Sequence, residues 1–226
     1  MNSLPNLCQM LITLMHNLNN INTDHNFMKS TNLKNLAVLL LAGSIYAFAP
    51  FKTVSYKVDS QSSKLNWQAK KATGAHSGTI AVSSGTLNVE NNVLKGGSFE
   101  IDTKSITVTD VTDAETNGKL LGHLKSDDFF GVEKYPKANF VITSAKPLAG
   151  GQYDIKGKLT IKGVTNEVSF PATVRVDNAK LTANAKITVD RSKYGIKFRS
   201  KSFFENLGDK LIYDDFDLNV ALVANK

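Results

Sequence analysis

Apolar and polar residues alternate with a period of two along most of the chain after residue 53. The alternation is clear at Leu65, Trp67 and Ala69, and it returns near the C-terminus from Phe216 to Leu222. A period of two places apolar side chains on one face of a strand, so these segments are predicted to be strands with one solvated face. About eight or nine such strands with no other partner favour a sheet that closes on itself. We therefore predict an all-β fold with short helical insertions, arranged as a closed antiparallel β-barrel.

Pairs of residues that tolerate a positive φ separate several of the predicted strands. We expect turns at four such pairs, which are Ser84 and Gly85, Asn91 and Asn92, Gly96 and Gly97, and Gly150 and Gly151. Small residues also recur at inward-facing positions, namely Gly78, Gly157, Ala183 and Ala185. They indicate either an interior that is not filled by side chains or the bends of a tightly curved barrel, and the sequence leaves both interpretations open.

Residues 117–140 interrupt the alternation. Leu120, Leu121 and Leu124 have the spacing of an apolar helical stripe and predict a helix. The serine and two acidic residues at 126–128 resemble an N-cap followed by a first turn, so we expect a second, shorter helical turn after the helix.

That second turn carries Phe129 and Phe130. Pro136 cannot continue a helix, so the chain is expected to return to the sheet near Ala138. A further short helical element is predicted at residues 202–207.

Composition narrows the function classes. The hydrophobic content of 42% is that of a globular protein. The formal charge of +7 comes from 27 basic and 20 acidic residues that are interspersed, which favours a solvated, mildly basic surface over a nucleic-acid interface. Cys8 and all four methionines precede residue 50, so the body of the chain has no disulfide, cysteine nucleophile or thiolate metal site.

The N-terminal part predicts export. Residues 28–49 contain basic residues, then the apolar run 36–41, then an Ala-Phe-Ala sequence at 47–49, which is the order of a secretory signal peptide. Cleavage is expected after Ala49 or, because Pro50 is an unfavourable neighbour, after Ala47. Residues 1–27 are interpreted as a non-native upstream extension or a long n-region, and residues 50–226 as the barrel domain. Periplasmic and secreted locations are both compatible with this signal.

Several motifs of the body resemble those of the YceI-like family. They are the GHLKS sequence at 122–126 with the diaromatic pair at 129–130 and Tyr-Pro at 135–136, Gly74 with HSGTI at 76–80, the Gly-x-Phe-x-Ile-Asp strand at 97–102, LTIKGVT at 159–165, and Asp-Arg at 190–191 with Tyr-Gly-Ile at 194–196. The likeness spans about residues 54–224 in the same order. Members of this family are bacterial, mostly periplasmic proteins with a lipocalin-like barrel.

This resemblance implies an apolar cavity that holds a long isoprenoid chain, such as a polyprenyl phosphate or a quinone. The implied function is non-enzymatic binding, transport or storage, since no catalytic residue of the family is available to carry over. We predict no cofactor, no metal and no nucleic-acid partner. Transient contact with a membrane or a membrane enzyme is expected, and a homodimer is left open.

On this interpretation the ligand lies along the barrel axis. The residues expected to line the cavity or its mouth are Trp67, Phe99, Ile101, His123, Phe129, Phe130, Phe140, Tyr153, Leu159, Arg191, Tyr194, Phe203 and Phe204. Arg191 could pair with a pyrophosphate or orient a quinone carbonyl, or it could brace a turn together with Asp190.

Other functions are considered beside this one. His123 with His76, Asp127 and Asp128 has the donor types of a zinc or iron site, but no ligand spacing supports one, and we favour His123 as a hydrogen-bonded residue that holds the helical stretch. An enzyme acting on the lipid would use His123 or Tyr194 as acid or base. A structural or stress-response barrel would be filled by its own side chains and hold no stoichiometric lipid.

Overall fold

The computed structural model describes residues 52–226. The predictions for residues 1–27 and for the signal peptide at 28–49 lie outside the described residues. The described part of the chain contains nine β-strands and one α-helix, α1 (Ala114–Lys125). The strands are β1 (Val54–Val58), β2 (Lys64–Lys71), β3 (Gly74–Glu90), β4 (Val93–Asp102), β5 (Lys137–Pro147), β6 (Gln152–Ile161), β7 (Val164–Val176), β8 (Lys180–Asp190) and β9 (Ile212–Asn225). Short 3₁₀ turns occur at Thr103–Ser105, Ala149–Gly151, Arg191–Tyr194 and Gly208–Lys210.

The strands form one closed antiparallel sheet in the order β3-β2-β9-β8-β7-β6-β5-β4, and β4 pairs with β3 again. The β1 strand pairs with the C-terminal part of β3 and with the end of β9, whereas β2 pairs with the N-terminal part of β3. Nine strands therefore fill eight positions, because β1 and β2 share one. The predicted closed barrel of about eight strands is confirmed.

The two ends of the barrel differ in how the strands are connected. At one end, here called the helical end, lie residues 103–136 with α1, the β2–β3 and β6–β7 hairpins, and residues 191–211. At the other, here called the hairpin end, the strands are joined by the short connections β3–β4, β5–β6 and β7–β8. Long connections at one end can carry side chains over the interior, so a ligand site is expected there.

Two of the predicted turns are confirmed. Asn91 and Asn92 have φ values of 50° and 61° and join β3 to β4. Gly150 and Gly151, with φ values of 69° and 77°, join β5 to β6.

The other two predicted turns are wrong, because Gly85 lies inside β3 and Gly97 lies inside β4. A Cβ at Gly85 would lie 2.7 Å from Cδ1 of Phe99, and one at Gly97 would lie 2.5 Å from the carbonyl oxygen of Thr86. These glycines allow close packing within the sheet and do not reverse the chain.

The predicted helix is present, and it begins at Ala114 with Asp113 as its N-cap. The Asp113 carboxylate accepts a hydrogen bond from the N–H of Thr116 at 2.8 Å. Leu124 is buried against the barrel core. No helix within residues 52–226 is long and apolar enough to cross a membrane.

The prediction that Ser126 starts a second helical turn is wrong. Its N–H donates to the carbonyls of Gly122 and His123, and its hydroxyl donates to His123, so Ser126 ends α1. Residues 126–130 then form a turn, and residues 202–207 contain no helix. The expected return to the sheet is confirmed, since β5 begins at Lys137 directly after Pro136.

Candidate functional site

The inward faces of β2 to β9 enclose an apolar cavity with a volume of about 190 Å³. Its lining runs from Leu87 and Leu94 toward the hairpin end to Phe129 and Arg191 at the helical end. The described residues that line it are Leu, Ile, Val, Phe or Ala, with four exceptions. These are Trp67, Thr103, Arg191 and Tyr213. Such a lining suits a long apolar ligand with a small polar group at one end.

The small inward residues do not all leave space. A Cβ at Gly157 would lie 2.3 Å from Cζ of Phe140, so the ring of Phe140 occupies the volume beside this glycine. That ring also packs with the rings of Phe99 and Phe170, at centroid distances of 6.2 and 5.6 Å. Ala183 and Ala185, by contrast, line the cavity. The interpretation of an unfilled interior therefore holds at Ala183 and Ala185, whereas Gly157 makes room for the ring of Phe140.

Residues 105–110, here called the strap, lie beside the N-terminal part of β3. Two of their backbone N–H groups donate to carbonyls of β3 at 2.9 Å. Trp67 Nε1 donates to the carbonyl of Thr107 at 3.0 Å. This contact needs Gly78, because a Cβ there would lie 1.8 Å from the Thr107 oxygen. The strap brings Ile106 into the cavity lining.

Arg191 is the charged residue of the lining and is only 4% exposed. Its Nε donates to the carbonyl of Tyr213 at 3.1 Å, Nη1 to that of Ile196 at 3.2 Å, and Nη2 to that of Ile212 at 3.0 Å. A guanidinium has five N–H groups, so each terminal nitrogen has one N–H beyond these bonds. Arg191 thus joins the end of β8 to the start of β9 and also presents a cation at the end of the cavity.

Asp214 is the ionic partner of Arg191, with Oδ1 3.5 Å from Nη2. The predicted partner Asp190 instead accepts the N–H of Ser192 at 2.9 Å, so the proposed Asp190 brace is corrected to Asp214. Burial lowers the pKa of Arg191, and the charges of Asp214 and Asp190 oppose this shift. Arg191 and Asp214 pair because the site has low polarity, and an unpaired buried charge there would destabilise the fold.

The pKa of Asp214 is lowered in the folded protein. Burial alone would raise it, but hydrogen bonds from Ser200 and Ser202 and the charge of Arg191 outweigh burial. The hydroxyl of Ser202 donates to Oδ2 at 2.7 Å. A carboxyl with a lowered folded-state pKa stabilises the fold above its unfolded pKa, and this contribution is lost as the pH falls through the folded pKa.

We expect Asp214→Asn to flatten the dependence of unfolding free energy on pH in the acid range. The loss of stability of the unmodified protein between about pH 5 and pH 2 should be smaller in the variant, because the amide does not titrate there. Urea unfolding at several pH values measures this. The exposed Asp215→Asn variant is the control, and an equal flattening in both variants would contradict the assignment to Asp214.

Tyr194 does not line the cavity. It is 2% exposed, and its hydroxyl is buried without a hydrogen-bond partner among the described residues. Burial, with a smaller contribution from Asp190, raises the pKa of this phenol. Neither a ligand contact nor an acid–base role follows from this position.

His123 lies on α1 outside the cavity lining. Its Nε2 is 3.0 Å from Oδ2 of Asp128, and its ring packs edge-on against Phe129 and Phe198 at centroid distances of 4.9 and 4.5 Å. These contacts join the end of α1 to the turn after it and to residue 198. His76 makes a separate contact with Asp110, and within residues 52–226 no three His, Cys, Asp or Glu side chains converge as a metal site would require.

The predicted site residues other than Tyr194 and His123 fall into three groups. Those that line the cavity are Trp67, Phe99, Ile101, Phe129, Phe130, Phe140, Leu159 and Arg191. Tyr153 is buried in the core outside this lining, and its hydroxyl accepts the N–H of Leu94 at 3.3 Å. Phe203 and Phe204 lie on the surface, 44% and 50% exposed.

Sequence reasoning missed Asp214 and the strap. Asp214 stands in a run of acidic residues that resembles a solvated strand, so its burial is not visible in the pattern. For the strap, the alternation of Ile106 and Val108 predicts a strand, yet only the structure shows that this segment pairs with β3 and brings Ile106 into the cavity lining.

Known proteins resemble this chain in sequence and in structure. The model of the YceI-like domain matches residues 56–224. A UPF0312 protein of Pseudomonas putida is 27% identical over 173 residues, which are 73% of this chain and 88% of that protein. A UPF0312 protein of Staphylococcus aureus is 37% identical over 83 residues, which are 34% of this chain and 46% of that protein.

Two solved structures share the fold. The crystal structure of Burkholderia cenocepacia BcnA aligns with a TM-score of 0.59 and 25% identity, over 74% of this chain and 99% of that chain. A polyisoprenoid binding domain from Saccharophagus degradans, implicated in plant cell wall breakdown, aligns with a TM-score of 0.54 and 16% identity, over 75% of this chain and 97% of that chain. The chain forms the barrel with its cavity, and the family model matches it over most of its length. This chain therefore belongs to the YceI-like domain family.

Proposed function

We propose that this protein binds a long isoprenoid lipid inside the barrel, without changing it chemically, and carries or stores it after export. The observation that carries the proposal is the apolar cavity that runs along the barrel and ends at a buried arginine. The polyisoprenoid binding domain of similar fold supports the ligand class. The predicted signal peptide at residues 28–49 supports export to the periplasm or beyond.

The cavity suggests how such a ligand would be oriented. The apolar chain would lie among the Phe, Leu and Ile side chains toward Leu87 and Leu94, where none of the described lining residues is charged. The polar head would lie at the helical end, where Arg191 has N–H groups beyond its three carbonyl bonds. A phosphate or a quinone carbonyl could accept from them.

Reversible loading follows from the energetics. Full burial of a chain of some forty carbons, at about 0.8 kcal/mol per methylene, would give on the order of 30 kcal/mol relative to water. The cavity of about 190 Å³ must widen to enclose a chain of that length. The tightest non-covalent affinities are about 20 kcal/mol, so the burial free energy beyond that value cannot appear as affinity. The competing environment of such a lipid is the bilayer, where the same surface is already buried. The net preference for the barrel is therefore small, and a carrier or store fits better than an irreversible scavenger.

Filling the cavity should prevent loading. Ala185 lines the cavity, and Ala185→Phe adds a ring at a wall that carries little side-chain volume. We expect the unmodified protein, purified from its native periplasmic extract, to carry one lipid by native mass spectrometry, and Ala185→Phe to retain on the order of tenfold less.

Ala221→Phe is the matched control, because Ala221 is exposed on the outer face of β9. It should retain the lipid fully, and circular dichroism checks that both variants fold. Liposomes containing ubiquinone or undecaprenyl phosphate then test uptake and distinguish the two head groups. A lipid-free mass for the unmodified protein, with no uptake from either liposome, would falsify the proposal.

A further inference from the structure

Large exposed apolar side chains concentrate at the helical end of the barrel. Within the described residues the exposed large hydrophobic side chains are Val141, Leu148, Val164, Phe203, Phe204 and Tyr213. Four of these six are at or beside the helical end, with Phe203 and Phe204 adjacent and 44% and 50% exposed. Two neighbouring phenylalanines on a surface cost solvation free energy unless something covers them.

Phe203 and Phe204 belong to residues 195–211, here called the basic loop. The basic loop contains four basic residues, Lys197, Arg199, Lys201 and Lys210, and two acidic residues, Glu205 and Asp209, which gives 4 − 2 = +2. All six of these charged side chains are exposed. The Nζ of Lys197 lies 5.0 Å from the centroid of the Phe203 ring, so a cation and an aromatic ring share one surface.

The base of the basic loop is held firmly. Ile196 and Ser200 are 1% and 0% exposed. The carbonyl of Ser200 accepts the N–H groups of Phe203 and Phe204 at 3.1 and 3.0 Å. The hydroxyl of Ser202 donates to the buried Asp214. The exposed rings are therefore projected from an ordered base.

The basic loop adjoins the end of the cavity. Ile196, within the loop, and Ile212, directly after it, both line the cavity. Tyr213 contributes to the lining and is also 43% exposed, so the wall of the cavity reaches the surface beside the loop. A lipid that enters or leaves at this end would pass near the two exposed rings.

We propose that the tip of the basic loop, residues 201–206, docks onto the surface of a bilayer that contains anionic phospholipids. Aromatic rings favour the level of the lipid head groups, and nearby lysine and arginine side chains are attracted to anionic lipids. One aromatic pair or a few cations alone bind weakly, whereas the two together give reversible attachment. The inference rests on the proposed function, because docking would place the cavity end against the bilayer from which the ligand comes.

The test is co-sedimentation with vesicles of phosphatidylglycerol and phosphatidylcholine. The double variant Phe203→Ala, Phe204→Ala is expected to bind on the order of tenfold more weakly than the unmodified protein. The matched control is Val141→Ala, Leu148→Ala, which removes two exposed apolar side chains away from the basic loop and should bind as the unmodified protein does.

Charge is tested separately. Lys197→Gln, Lys201→Gln should weaken binding about tenfold at low salt, whereas Lys156→Gln, Lys158→Gln, on the exposed face of β6, should have little effect. Equal binding of the unmodified protein to vesicles of phosphatidylcholine alone would overturn the proposal. Unchanged vesicle binding by the Phe203 and Phe204 double variant would also overturn it. An absence of any vesicle binding would overturn it as well, and would indicate a protein partner for this surface.

This test and that of the proposed function can fail independently. The loop variants leave the cavity lining intact, so they should retain the lipid found by native mass spectrometry but exchange it with vesicles more slowly. Retention of lipid without vesicle binding would overturn docking alone. Vesicle binding by a protein that neither carries nor takes up lipid would overturn the proposed function, and docking as a route for the ligand would fall with it.

Discussion

Arg191→Met is expected to lower the free energy of unfolding by about 3–5 kcal/mol. The substitution leaves the carboxylate of Asp214 buried without its counter-charge and removes the donors to three backbone carbonyls. Asp214 is 8% exposed, so water can replace little of what is lost. Urea denaturation at neutral pH, followed by circular dichroism, measures the change.

Lys193→Met is the control for removing a cation from the same 3₁₀ turn. Lys193 is exposed and its side chain makes no ion pair within the described residues, so a change within about 0.5 kcal/mol is expected. The double variant Arg191→Met, Asp214→Leu should recover part of the loss, because it removes both charges from the buried site. A loss below about 1 kcal/mol in the single variant would contradict a structural role for the pair.

The double variant also isolates the ligand contact. If it folds, any loss of lipid retention comes from the missing cation at the cavity end and not from unfolding. Full retention of both quinone and polyprenyl phosphate by the folded double variant would mean that Arg191 acts only as a brace between β8 and β9.

Gly78→Ala is expected to destabilise the protein by about 3 kcal/mol. The new Cβ would meet the backbone oxygen of Thr107 at 1.8 Å and Nε1 of Trp67 at 2.7 Å. A backbone atom cannot rotate away as a side chain can, so the strap must move from β3 and the indole hydrogen bond must lengthen. Trp67 is the single tryptophan, and a shift of its fluorescence emission reports this movement directly.

Gly96→Ala makes the same change in β4, where a Cβ would meet no atom of residues 52–226 within 4 Å. This control should be neutral or slightly stabilising, because alanine restricts the unfolded chain more than glycine does. Equal stability of the two variants, or an unshifted emission of Trp67 in Gly78→Ala, would show that the strap does not depend on this glycine.

The helical stretch at residues 117–140 shows which features a local sequence pattern can predict. The spacing of Leu120, Leu121 and Leu124 identified α1, since the apolar stripe is a property of the segment itself. Ser126 was predicted to begin a second helical turn, because a serine followed by acidic residues has the pattern of an N-cap. It ends α1 instead, and α1 places Leu124 against the barrel, which is a long-range contact.

In the candidate site, too, local sequence patterns predicted some positions and long-range contacts decided the others. Aromatic residues on alternating strands, such as Trp67 and Phe140, were placed inside the barrel because strand alternation assigns a face. Tyr194 was expected at the cavity but is buried elsewhere, since it lies in a 3₁₀ turn where alternation has no meaning. Phe203 and Phe204 were expected at the cavity or its mouth, and their exposure became visible only with the basic loop in place.

By itself the sequence determined that the body is a set of antiparallel strands with one apolar face, enough of them to close, and that a helix interrupts them. These are local properties, because a period of two and a turn residue act within a few positions. Only the tertiary structure decided that Arg191 pairs with Asp214, that Gly78 admits the strap, and that a cavity remains between Ala185 and the aromatic rings. Such features depend on the register in which distant strands meet when the barrel closes, and register is set by the whole sheet.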